Sequence, residues 1–159
     1  MAMPAVDHHD EFVVDPDEVK VPESPRHRAA VDLIALAAQH RLGGAARVYR
    51  DMNWYPPDGG NAVAPDALVL PAGALAPDDR SYKQSTSGGP DPIAALEVPS
   101  HTDGYAEFRE KLRRYRRLGV VSYVVELGRD GCSVECWRPD AVAPENWLGR
   151  PIPELGGVV

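Results

Sequence analysis

Apolar residues recur along this chain in two periods, and proline and glycine mark the breaks between the periodic stretches. Ala30, Leu33, Ile34, Ala37 and Ala38 follow helical spacing behind Ser24 and Pro25, which read as an N-cap and a proline at the first helical position. Gly43 and Gly44 end that helix. The run ARVYRDMNWY alternates loosely and carries valine, tyrosine and tryptophan, which predicts a strand leading into the turn PPDGGN. DALVL and IAALEV are short, nearly unbroken apolar runs and predict two more strands. A second helix is predicted over about 103–118, where Tyr105, Phe108, Leu112, Tyr115 and Leu118 form an apolar stripe that Gly119 closes. VVSYVVEL and CSVECW then predict two strands joined by the turn GRDG.

The order helix, three strands, helix, two strands predicts an α/β fold with a central sheet flanked by helices. Residues 1–23 lack sustained periodicity and carry seven acids against Lys20, so they are expected to form an extended or mobile arm, with EFVV as a short strand. Residues 24–139 hold the periodic elements, and 140–159 form a proline-rich tail that packs loosely on them through Trp147. Between Leu70 and Ile93 lie more than twenty residues without helical or strand period, the kind of long loop that is more often functional or mobile than structural.

Composition narrows the picture. At 159 residues the chain suits one domain that can bury a core without disulfides or a structural metal. Cys132 and Cys136 lie four apart in a strand, roughly 13 Å between Cα atoms, too far for a disulfide. No apolar run long enough to cross a membrane and no signal-peptide pattern is present, so a soluble cytoplasmic protein is expected. The net charge of −7 speaks at first against a nucleic-acid partner. Its distribution reverses that impression: Arg109, Lys111, Arg113, Arg114, Arg116 and Arg117 face only Glu110, giving +5 within nine residues and −12 elsewhere. A solvated helix face explains such a run equally well, and DNA contact is the sharper reading for the arginines at 109, 113, 114, 116 and 117.

Two acids interrupt the apolar runs, Asp66 at the head of DALVL and Glu97 inside IAALEV. A carboxylate taken out of water needs a cation or several donors, and if the two strands neighbour each other the pair suggests a shared Mg²⁺ or Mn²⁺. The carbonyl of Val98 and waters would complete the octahedron. Lys111 borders the apolar stripe of the second helix, so its stem can pack on the sheet while the ammonium reaches the acids. The blander readings are a turn acid after Pro65, a buried salt bridge at Glu97 and a solvated lysine. His27 reads as a structural histidine and Tyr115 as core, while Ser100, His101 and Asp103 read as caps of the second helix.

APDALVL, a long loop, IAALEVPS, and then DGYAEFREKLRRYRRLGVVSYVVEL together resemble the Uma-type restriction endonuclease family of the PD-(D/E)XK nuclease superfamily. The resemblance spans about residues 24–139, including the helix SPRHRAAVDLIALAA, and rests on the order of its short motifs. It implies a restriction endonuclease-like core with a mixed sheet, Mg²⁺-dependent DNA cleavage and a homodimer. It also implies catalytic roles for Asp66, Glu97 and Lys111. One departure stands out: the superfamily motif expects lysine two residues after the second acid, and here Pro99 stands there. The lysine must then come from the helix, or the chain is an impaired nuclease that binds nucleic acid or protein. The acidic arm suggests a further expectation, that it folds over the basic helix and inhibits it.

Overall fold

The computed structural model describes residues 24–100 and 104–157. The expectations for the acidic arm, for His101 and for Asp103 fall outside those residues. Helix α1 spans Pro25–Leu42; the Ser24 side chain accepts a hydrogen bond from the His27 amide at 3.1 Å, and Gly43 ends the helix at φ 57°. The chain then crosses a sheet made of β1 (Ala46–Arg50), β3 (Ala67–Pro71), β5 (Ala94–Glu97), β6 (Ser122–Leu127), β7 (Cys132–Trp137) and β8 (Glu145–Asn146). Their spatial order is β1-β3-β5-β6-β7-β8. Within this sheet only β5 and β6 pair in parallel, and helix α3 (Tyr105–Arg117) makes the crossover such a pair requires.

The two faces of the sheet explain the unbroken apolar runs. Ala67, Val69, Ala94, Leu96 and Tyr123 pack with Val31 and Ala38 of α1 on one side. Leu68, Leu70, Ala95 and Val124 pack with Leu112 and Tyr115 of α3 on the other. Because β3 and β5 are covered twice, both alternating sets must be apolar, and period two vanishes from the sequence. Glu97 lies within such a strand and is only 2 % exposed.

Three expectations change. The run ARVYRDMNWY is not one strand: Asp51 adopts φ 55°, a left-handed conformation that aspartate tolerates better than most residues. It turns the chain out of β1 into β2 (Asn53–Trp54), which pairs in parallel with β4 (Ser81–Tyr82) in a separate two-stranded sheet. The loop before β5 therefore contains structure, β4 and the short helix α2 (Gln84–Ser87). It is tied down by Trp54 Nε1 donating to Gln84 Oε1 at 2.9 Å, by Gln84 Nε2 donating to Asp91 Oδ1 at 2.7 Å, and by the Tyr82 hydroxyl donating to the Pro90 carbonyl. These partners are far apart in local period, which is why no pattern announced them.

The tail packs tightly. Strand β8 extends the sheet, Trp147 meets Tyr123 edge-on at 6.2 Å, and Ile152 and Leu155 enter the α1-side core before and within a 3-10 turn at Pro153–Leu155. Tyr123 donates to Glu154, whose carboxylate also meets Arg138 at 3.3 Å.

Candidate active site

Register brings the two acids together. Antiparallel pairing sets Ala67 opposite Leu96, so one step further Asp66 stands beside Glu97 where β3 begins and β5 ends. Alternation puts both on the α3 face, with Leu68 and Ala95. Asp66 Oδ2 accepts the Val98 amide at 2.7 Å, closing the ladder with a side chain. His27, brought over this strand end by the first turn of α1, has Nε2 at 3.5 Å from the same oxygen. His27 Nε2 also hydrogen-bonds the Val98 carbonyl, and because a carbonyl only accepts, that nitrogen carries the proton in the bond.

Lys111 rises from the sheet-facing side of α3 and holds Glu97 by both oxygens, with Nζ 2.8 Å from Oε1 and 2.9 Å from Oε2. Its third acceptor is the carbonyl of Ala64 at 2.7 Å. One turn along α3, the Tyr115 hydroxyl donates to Glu97 Oε1 at 2.6 Å. Tyr115 is fully buried and stacks on Trp54 with ring centres 6.3 Å apart, so the two-stranded sheet buttresses this donor. Burial pushes the Glu97 carboxyl up to about 7; Lys111 opposes the shift and the Asp66 charge adds to it. Burial, followed by the negative charge of Glu97, drives the Tyr115 hydroxyl well above its usual range, which keeps it a donor.

The donor set fits a hard divalent cation. Two carboxylates and nearby carbonyl oxygens are the ligands Mg²⁺ and Mn²⁺ prefer. Burial first, and the Asp66 charge after it, raise the Glu97 carboxyl against the pull of Lys111, and a cation held between the two acids would favour their charged forms. The Val98 carbonyl is engaged by His27 but keeps a second lone pair. Among the described residues no group of three or more His, Cys, Asp or Glu side chains is placed to hold a metal ion, so at this site main-chain carbonyls and water would supply the ligands beyond the two acids.

The arginines do not form one stripe. Arg113 and Arg117 are exposed and share Glu110, at 3.3 and 2.9 Å. Arg114 turns to Asp58 at 3.3 Å, and Arg116 donates to the Pro139 carbonyl at 3.2 Å. Arg109 lies over the Tyr105 and Trp137 rings, 5.4 and 5.7 Å from their centres. Sequence reasoning did not give Tyr115 or His27 a place at the acids. For Tyr115 the available signal was its hydroxyl four residues after Lys111, on the same helical face.

Among the described residues no helix is long and apolar enough to cross a membrane. A search of curated proteins gives no match to the chain. Among solved structures, a crystal structure described as a "putative nuclease belonging to DUF820" from Anabaena variabilis ATCC 29413 aligns with a TM-score of 0.60. The alignment covers 84% of this chain and 72% of that one at 14% identity, a likeness of fold. The family model for Uma2, described as "putative restriction endonuclease", matches residues 10–156, and the chain belongs to that family.

Proposed function

We propose that the protein is a metal-dependent endonuclease that hydrolyses phosphodiester bonds of DNA, with Asp66 and Glu97 holding Mg²⁺ or Mn²⁺. One observation carries this reading: Lys111 contacts both oxygens of Glu97 from a helix, although Pro99 occupies the strand position where the motif lysine is expected. The family and the fold shared with a nuclease support it.

The divalent ion, when bound, supplies an activated water at neutral pH and neutralises charge on the scissile phosphate. Asp66 and Glu97 would hold it, with the second lone pair of the Val98 carbonyl as a further oxygen ligand. Lys111 is fixed by three acceptor contacts of 2.7–2.9 Å, so its ammonium is positioned before substrate arrives. Those contacts use all three of its N–H donors, so it releases one of them to donate a hydrogen bond to the attacking water or to the developing oxyanion. Tyr115 holds Glu97 Oε1 and limits its swing. His27 holds the Val98 carbonyl, and the Val98 amide, on the other side of the same residue, donates to Asp66 and orients it. Arg113 and Arg117, exposed at the outer side of α3, engage flanking phosphates in place of the exposed Glu110 they share; Arg109, Arg114 and Arg116 likewise reach DNA only by leaving their present partners.

Nicking of supercoiled plasmid in Mg²⁺ or Mn²⁺ tests the assignment. Lys111→Ala should lower the rate by about 10²–10³-fold, the scale of one lost oxyanion donor. Glu97→Ala should abolish nicking and remove Mn²⁺ binding in calorimetry. Equal nicking by wild type and Lys111→Ala, or Mn²⁺ affinity unchanged in Glu97→Ala, overturns the site. Salt-sensitive DNA binding without cleavage, unaffected by Asp66→Ala, would instead favour a binding module of this fold.

A further inference from the structure

Helix α3 leaves part of the β6–β7 hairpin uncovered, and a groove of about 260 Å³ opens there. Its base is Leu112 and Val124. Val124 is the register partner of Glu97 on the adjacent parallel strand, about 4.8 Å away, and Leu112 follows Lys111 in α3. The groove therefore shares a wall with the candidate active site.

Its lining has a distinct chemistry. Tyr105, Phe108 and Trp137 offer aromatic surface, and the Arg109 guanidinium lies against two of those rings. A flat conjugated group stacks on such surfaces. Glu126 and Glu135 line the same space, and Arg109 is the lone cation among the described lining residues. Two carboxylates repel a phosphate and accept hydrogen bonds from an N–H edge. The volume falls below the roughly 300–1,000 Å³ of drug-sized sites, so one ring system fits and a whole cofactor does not.

We propose that this groove receives one unpaired nucleobase beside the scissile phosphate, and that it favours bases carrying an amino group over thymine. The identity of the ligand rests on the nuclease reading. Cytosine and thymine have the same ring size but differ at C4, where an amine donates and a carbonyl accepts; carboxylates recognise the former. Within a duplex the faces of a base are covered by its stacked neighbours, so a groove that stacks the ring calls for single-stranded or extruded nucleotides.

Binding of labelled oligo(dC) and oligo(dT), measured by fluorescence anisotropy at fixed salt in a chelator, tests this without any cleavage. Oligo(dC) should bind about 10-fold more tightly than oligo(dT). Trp137→Ala should weaken oligo(dC) binding by about 5- to 150-fold, the range for one aromatic stack, and Trp137→Phe should restore most of it. Glu126→Gln, at an exposed position, should narrow the dC-over-dT gap while leaving thermal melting unchanged. Equal affinity for the two oligonucleotides, or wild-type affinity in a folded Trp137→Ala protein, overturns the proposal. An absence of plasmid nicking would sink the nuclease reading and leave these binding results standing, so the two fail separately.

Discussion

Glu97 is a buried carboxylate with a lysine across both oxygens and a tyrosine on one, and its charge still sits uneasily. Its folded pKa of about 7 lies above the ordinary 4.5, so between those values the folded chain binds a proton that the unfolded chain releases. Stability from this group is therefore greatest below about 4.5 and is lost as pH rises to about 7. In metal-free buffer the wild-type melting temperature should fall across that window relative to Glu97→Gln. Parallel curves would remove the buried charge as the cause. The convergence of Asp66, Glu97 and Lys111 was legible because strand and helix periods fix which way side chains point. The partners Tyr115 and His27 were not, since a hydroxyl on an apolar stripe and a histidine at a helix start also satisfy plain core roles.

Among the elements, the joins carry the information that patterns miss. Gln39 of α1 acts as a short false strand beside β1: its Oε1 accepts the Val48 amide at 2.9 Å and its Nε2 donates to the Ala46 carbonyl at 3.1 Å. That satisfies an edge that would otherwise invite another chain. At the opposite end, the tail docks on α1 through Gly156, whose φ is 70° and where an added Cβ would meet the Arg41 Cβ at 2.6 Å. Gly156→Ala should cost at least about 1–2 kcal/mol for the left-handed conformation alone, before any clash. A urea midpoint equal to wild type would show that the tail is free to lift away. Nothing local predicts this docking, because its apolar residues are scattered among prolines and find their partners across the sheet.

For the whole molecule, element order and sheet composition could be read from the sequence because the core elements are short and cleanly punctuated. The second sheet and the tail could not, because their stability comes from contacts distant along the chain. The acids belong to neighbouring strands of one sheet, while the lysine belongs to a helix laid against it. The reactive geometry is thus inherited from docking and not from a contiguous motif. Leu112 is 2 % exposed and lies in the core cluster between α3 and the sheet. Leu112→Ala should cost about 2–5 kcal/mol of stability. At temperatures where it remains folded, plasmid nicking should fall by up to about 10²-fold, the penalty of roughly 1 Å of misplacement. Undiminished nicking in the folded variant would mean that Lys111 finds Glu97 without help from packing. If packing does matter, the protein carries two halves of one candidate site on separately seated parts. Anything that tilts α3, a partner or a ligand in the adjoining groove, would then dim or brighten the chemistry without touching an acid.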